Sequence, residues 1–435
     1  MPGRRTMIGV IALGMGVTAG AASAQAPRIT LAEAIARADR VQPSVVQAFG
    51  TVRNAQARER AAVGAFLPNF TVTGSVGDFF SEGQRIDPST GQLTTSGTTN
   101  RSVNSGMSSS LDLFAGFRRT SERKAAGANR TAADASYDNA RFNQQLTTTN
   151  GFYDVLAAEQ LLRVREASVR RAEEQMKVSV ALLQAGRGIR PDSLRSLVTL
   201  GNAQLQLLNA QTQLAVAEAN LGRLVGEDGP VGAADDSSLY GVLATVDTTA
   251  IRTEALAQAH SVRAAQAQAT AAHAAIGVSK AAYFPSLSLS GSMSFNGSRQ
   301  NDYSFLQQRQ FTLGLSWPIF NRFQREQSVT TAAASADLAD ANASEARRQV
   351  LSSMTSALAS LDAARLRIGI SQTSVVAARE DLRVQRERYR LGAGTIVDVL
   401  TAQEALNQSE VDAVTARFDY VRARAQLSAL IGRPL

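Results

Sequence analysis

Slid along itself by 206 residues, this chain falls into register with its own second half. Phe114 meets Phe320, Arg141 meets Arg347, Glu174 meets Glu380, and Gly186 and Gly188 meet Gly392 and Gly394. Asp192, Leu194 and Gly226 meet Asp398, Leu400 and Gly432, and the shift holds without a gap for more than a hundred residues. Upstream the shift becomes 217, where LPNFTVTGS (67–75) matches FPSLSLSGS (284–292), so the first copy is expected to carry an 11-residue longer loop. Two copies of this size are too long for a solenoid unit and too few for an array. They describe one tertiary unit duplicated.

The first 24 residues read as an export signal and not as fold. Arg4 and Arg5 precede a short apolar run (7–18), and Ala22-Ser23-Ala24 forms a small-residue cleavage site. No later segment is apolar over the length a membrane helix needs. Cysteine is absent, which excludes disulfides, thiolate metal sites and a thiol nucleophile. The net charge of +8 falls to +6 without Arg4 and Arg5, and the bases are scattered among acids along helix faces. That pattern argues against a nucleic-acid partner.

Each half reads as a helix, two strands and two long helices. The first repeat is expected over 25–226, a Gly/Asp/Ser/Thr-rich connection over 227–250, and the second repeat over 251–435. Thr30-Leu-Ala-Glu33 is a capping box that starts a helix running to about Gly64, and the second copy's counterpart spans about Thr253 to Ala282. Helical hairpins are expected over 118–225 and 322–432, because no proline interrupts 118–186 or 322–392. Each unbroken helix would extend about 100 Å at 1.5 Å per residue. Gly-rich turns at 184–192 and 390–398 then lead into a last helix, the first of which carries Pro191 in its opening turn. That helix has two apolar seams. One is Leu200, Leu207, Leu214 and Leu221; the other is Leu194, Val198, Leu205, Leu208, Thr212, Ala215 and Ala219. Two seams let one helix pack against neighbours on both sides, as in a cylinder of helices, and a buried bundle helix is the competing reading.

The strands, expected at about 68–79, 103–114, 285–296 and 310–320, alternate with period two. Leu287, Leu289, Met293 and Phe295 alternate with serines, and Phe311, Leu313, Leu315, Trp317 and Ile319 alternate with Thr312, Gly314, Ser316 and Pro318. Phe70, Val72 and Val76 repeat the pattern, and Met107, Leu111 and Leu113 keep it more weakly. The polar faces are small and neutral, which suits a membrane barrel with a wet lumen better than a soluble sheet. Leu287, Leu289, Leu313, Leu315 and Trp317 are then lipid-facing, and Phe79, Phe80, Phe114, Trp317 and Phe320 are interfacial anchors. Four strands cannot close a barrel, and an open edge in lipid leaves backbone groups unpaired. Other copies of the chain must complete it.

Signal peptide, duplicated helix–strand–strand–helix unit, alternating strands and hairpins ending in Gly turns together resemble the TolC-like outer-membrane efflux protein family. The most specific segment is Tyr389-Arg-Leu-Gly-Ala-Gly-Thr-Ile-Val-Asp-Val-Leu400, with QAGRGIRPDSL (184–194) as its first-copy counterpart. The resemblance implies a mainly α fold with membrane β: a homotrimer pooling twelve strands in one outer-membrane barrel, continued by a periplasmic helical barrel. It implies passive conduction as the exit duct of a tripartite efflux or type I secretion system, in outer-membrane lipid, with a periplasmic adaptor and an inner-membrane transporter as partners and no cofactor. The turns at Gly186, Arg187, Gly188, Gly392, Ala393 and Gly394 would dock the adaptor.

Asp192 and Asp398 stand one turn into equivalent helices, where six carboxylates in a trimer would ring the narrow end and favour cations. Tyr389 stands where the family uses a tyrosine to hydrogen-bond the neighbouring hairpin in its closed state. A helix-start role for both aspartates is the other reading. The chain departs from the family at Thr401, Arg195 and Gly394, and at His260-Ser-Val-Arg263 in place of an Arg-Pro-Asp-Leu signature. Two rival functions belong to other classes: a trimeric adhesin, whose strands would sit together at the C-terminus, and a pore-free periplasmic coiled coil. An enzyme lacks convergent groups, since His260 and His273 are the only histidines and lie thirteen residues apart.

Overall fold

The computed structural model describes residues 26–235, 257–298 and 302–431. The export signal, most of the inter-repeat connection, the start of the second Ala-rich helix and Gly432 lie outside the described residues. Chain order begins with β1 (Arg28–Ile29), α1 (Leu31–Val41), α2 (Pro43–Gly64), β2 (Asn69–Ile86) and β3 (Leu93–Ala115). α3 (Arg118–Gln184), α4 (Arg190–Val225), β4 (Gly232–Ala233) and α5 (His260–Lys280) follow. The chain closes with β5 (Ser286–Ser298), β6 (Leu306–Ser316), α6 (Gln324–Arg390) and α7 (Ile396–Ile431). The duplication is metrical: α3 and α6 each have 67 residues, and α4 and α7 each have 36.

Thr30 caps α1 by accepting from the Glu33 amide. The expected single helix to Gly64 is broken, however. Pro43 disfavours helical geometry at Gln42, which is extended at φ −66°, ψ 127°. The freed Gln42 side chain donates to the carbonyls of Arg223 and Leu224, 3.1 and 2.6 Å away, and so caps the C-terminal end of α4.

The four long strands form one antiparallel sheet in the order β2-β3-β5-β6. The first hairpin is longer than its sequence pattern indicated. β2 and β3 pair out to Ile86 and Leu93, whereas β5 joins β3 only as far as Ser102. The extra residues of the first copy are therefore strand, in a two-stranded ribbon that ends in a turn at Asp87–Gln92, and not a loop. Thr, Ser and Gly fill this ribbon without the apolar alternation that marks a half-buried strand, which is why periodicity could not find it. A bulge between Asp112 and Phe114 shifts the register, so Phe114 and not Leu113 pairs with Leu287. β6 begins at Leu306 and ends at Ser316, so Trp317, Ile319 and Phe320 follow the strand instead of belonging to it.

Both copies leave the sheet through the same corner. Gly116-Phe117 and Arg322-Phe323 have φ between 59° and 64°, a left-handed geometry that costs a non-glycine residue roughly 1–2 kcal/mol. Edge-to-face ring pairs brace both turns, Phe114 with Phe117 at 5.3 Å and Phe320 with Phe323 at 5.5 Å.

The helices lie in two tiers. Near the sheet α2 packs on α3, α3 on α5, and α5 on α6; farther away α4 packs on α3, α3 on α7, and α7 on α6. The main core lies between the tiers, where Phe152, Val155 and Leu156 of α3 meet Leu221, Met354, Phe418, Val421 and Leu427 beneath the small parallel β1–β4 pair.

Candidate functional site

Two features of the chain can do work: the turns at the far ends of the hairpins and the two faces of the sheet. At the first turn the Gly186 amide donates to Leu183 O and the Arg187 amide to Leu182 O. At the second, Gly392 donates to Tyr389 O and Ala393 to Arg388 O. This is the same helix-closing motif twice, and it needs a left-handed residue, met by Gly186 at φ 69° and Gly392 at φ 76°. Gly188 and Gly394 serve a different purpose. A Cβ at Gly188 would come within 3.0 Å of the Leu183 amide nitrogen, and one at Gly394 within 3.1 Å of Arg388 Cβ. Gly394 is thus fixed by a close approach, in a position with little space for a larger side chain.

Asp192 and Asp398 match in sequence but differ in environment. Asp398 completes a capping box: its Oδ2 accepts from the Thr395 amide at 3.0 Å and from Thr395 Oγ1 at 2.8 Å, while its own amide donates back to Thr395 Oγ1. The Thr395 backbone bond, then its hydroxyl, hold this carboxyl below the ordinary carboxylate range. The first copy has Ile189 where Thr395 would be, so Asp192 has no such partner. Instead its Oδ2 accepts from the Tyr389 hydroxyl across the two hairpins at 3.4 Å. Tyr389 is buried, in a small core with Leu382, Ile396, Val399 and Leu406. Burial and the Asp192 carboxylate raise its pKa, against a lowering contact from Ser179.

In the sheet, the register sorts the side chains. Leu287 pairs with Leu315, Leu289 with Leu313, and Gly291 with Phe311, on the face that also carries Phe70, Val72, Val76, Met107 and Leu111. On the same face Arg309 stands level with Met293, Met107 and Val72, and the Asp78–Arg101 ion pair, at 2.6 Å, lies just past Val76. The other face pairs Ser288 with Gly314, Ser290 with Thr312 and Ser292 with Gln310, and the last two pairs line one shared concavity with Asn69, Ser108 and Ser110. Phe80 falls in line with the apolar band and Phe79 with the polar one, both in the ribbon just beyond the end of β5. Trp317 donates its indole N–H to Tyr283 O at the opposite end.

The histidines are far from these features. His260 stacks on Phe142, with ring centroids 3.8 Å apart, and burial lowers its pKa. His273 contacts Asp340 at 2.8 Å on the surface. The described residues contain no cluster of three potential metal ligands. Sequence reasoning missed the polar contacts between hairpins, above all Arg171 with Glu410 and Asn407, each at 2.7 Å. Their only trace in sequence is Gln403, Asn407 and Glu410 on one stripe of a helix.

Residues 34–227 and 251–433 both match the family model described as "Outer membrane efflux protein". The chain belongs to this family. Its two matched stretches follow the internal duplication. The pyoverdine export outer membrane protein OpmQ of Pseudomonas aeruginosa is 27% identical over 405 residues, covering 88% of this chain and 81% of the relative. Two solved structures share the fold. The channel-forming protein CusC aligns with a TM-score of 0.78 at 19% identity, over 93% of this chain and 92% of CusC. The outer membrane protein VceC of Vibrio cholerae aligns with a TM-score of 0.75 at 18% identity, over 93% and 96% of the two chains. Family membership places the protein in the outer membrane, extending into the periplasm, as an exit duct for efflux or secretion. The adhesin and pore-free coiled-coil readings fall with that result.

Proposed function

We propose that three copies of this chain close head to tail into one continuous duct that conducts substrates passively. One observation carries this reading: sheet and helices are left open at corresponding borders. The sheet ends at β2 on one side and β6 on the other. The helical tiers end at α2 and α4 on the first-repeat side and at α6 on the second-repeat side. On α4 the seam of Leu194, Val198, Leu205 and Leu208 is 52–64% exposed, and α6 exposes Leu366, Ile370 and Val376 to a similar degree. A border whose two edges differ makes a heterologous contact, which closes into a ring when the rotation permits. In the ring β6 of each copy pairs with β2 of the next, removing the open edges that lipid forbids. The leucine-rich face then meets lipid and the serine face meets water.

The Gly-rich turns form the periplasmic end and dock an adaptor through residues 186–188 and 392–394, which links the duct to an inner-membrane transporter. The Tyr389–Asp192 contact holds the hairpins together there and narrows the entrance. Asp398 adds negative charge to that end while serving as a helix cap. Conduction needs no catalysis and no cofactor.

Purified protein in planar bilayers tests this reading. Discrete channels of low conductance are expected from the wild type, with Tyr389→Phe conducting more. A protein that is monomeric in detergent and forms no channels would overturn it.

A further inference from the structure

The corner where sheet becomes helix carries rings and bases that the fold itself does not use. Trp317, Phe320, Phe323, Phe117 and Phe284 surround it and are 47–69% exposed. Phe117 meets Phe284 edge to face at 5.4 Å, which joins the corner of the first copy to the second, and Trp317 donates to Tyr283 O at 3.2 Å. Exposed apolar surface of this extent needs a cover. The leucine-rich face of the sheet ends here, at Leu287 and Leu315, so the aromatics continue it where rings settle at the boundary of a bilayer.

The bases lie immediately on the helical side. Some are accounted for by the fold. Arg118 approaches Asp112 and Glu122 at 3.9 and 3.8 Å, and Arg325 pairs with Glu326 at 2.9 Å. Arg119 lies over the Phe66 ring and donates to Leu113 O. Arg123, Lys124, Lys280 and Arg322 are different. All are exposed, and among the described residues the side chain of none of them forms an ion pair or a hydrogen bond. Lys280 ends α5 just before Tyr283, Arg322 follows Trp317 by five residues, and Lys124 stands about 9 Å along α3 from its start. A headgroup layer is about 5–8 Å deep, and long basic side chains reach back towards it. Each helical residue turns by about 100°, which directs Arg123 and Lys124 away from Arg118. Because Arg118 leans on Asp112, which pairs with Ser288 on the serine face, Arg123 and Lys124 fall on the lipid side.

We infer that Arg123, Lys124, Lys280 and Arg322, beside Trp317, form a collar that binds the phosphate headgroups of anionic phospholipid in the periplasmic leaflet. This rests on the exit-duct reading, in which the leucine-rich face meets lipid, and it names the lipid chemistry selected at that boundary. Bases at a membrane surface attract anionic headgroups, and a zwitterionic headgroup, with no net charge, is held less firmly. The aromatics set the depth, and the bases set the preference.

Trp317 is the only tryptophan of the chain, so its fluorescence reports from within the collar. Purified protein is reconstituted in phosphatidylcholine vesicles, part of whose lipid is replaced by brominated phosphatidylglycerol or by brominated phosphatidylcholine as quencher. In the wild type the anionic quencher should act as if bound about fivefold more tightly, the worth of roughly one base at the surface. That preference should disappear at about 1 M salt, where exposed charges are screened. It should also disappear in the variant combining Arg123→Gln, Lys124→Gln, Lys280→Gln and Arg322→Gln, while brominated phosphatidylcholine still quenches. Equal quenching by the two lipids in the wild type at low salt would overturn the inference, and so would a preference that the variant retains. Should the variant fail to insert, the wild type in salt decides: a preference that survives about 1 M salt does not come from these bases. Equal quenching by both lipids sinks the collar alone, whereas no quenching by either removes Trp317 from lipid and sinks the lipid-facing assignment with it.

Discussion

Asp192 and Asp398 show how one duplicated residue takes two jobs. With Thr395 beside it, Asp398 bonds its own helix start; with Ile189 in that place, Asp192 is left for Tyr389 of the other hairpin. The Asp398 bonds have a pH signature. Because its carboxyl is held below the ordinary value of 3.8, the stabilisation is complete above that pH and is lost as pH falls through the lower folded value. Amide exchange in the first turn of α7 is expected to quicken on acidification below 3.8, while Asp398→Asn should show fast exchange already at neutral pH. Exchange that is equally slow in the variant would remove the cap from this account. The sequence reading had both roles in hand for these aspartates but could not assign them. The choice depends on whether a partner across the hairpin lies within reach.

At the scale of elements, the helices were legible and the strands only partly so. Uninterrupted helix formers between a strand-end aromatic and a Gly turn fixed α3 and α6 to within a few residues. The β2–β3 ribbon was not visible, since a strand with two solvated faces has no reason to alternate. Leu113 was placed in phase because a bulge leaves no mark in the pattern of residues. The sheet faces provide the test for this scale. Arginine at Leu289 or Leu313 should weaken membrane assembly by about 2–4 kcal/mol if the site lies near mid-bilayer. Arginine at Ser290 or Thr312, paired neighbours on the other face, should be tolerated. Yields of folded protein in the outer membrane measure the difference, and equal losses on both faces would contradict the assignment.

The whole molecule is defined by its open borders. Leu205 is fifteen residues from the turn end of α4 at Arg190, and Val376 is fourteen from the turn end of α6 at Arg390. They therefore stand at similar heights on opposite borders of one chain. In the proposed trimer, head-to-tail closure would bring Leu205 of each copy towards Val376 of the next. Leu205→Cys combined with Val376→Cys, the only thiols in such a chain, should yield a covalent trimer on oxidation, while either cysteine alone should not. Denaturing gels read the result, and a ladder limited to monomer and dimer would contradict three-fold closure.

The sequence by itself determined the duplication, the lengths of the long helices, the two turns and the apolar phase of the sheet. All of these follow from local rules: periodicity, glycine at left-handed positions, proline at helix starts. Pro43 breaks the first helix by a local rule too, but only the tertiary structure decided that the Gln42 side chain would find its partners at the end of α4. The same holds for the bulge at Leu113 and the two fates of the matched aspartates. Nor could spacing reveal the clasp of Arg171 on Glu410, 239 positions away. Contacts of that kind depend on where two rigid helices lie relative to one another, and no residue encodes that position alone.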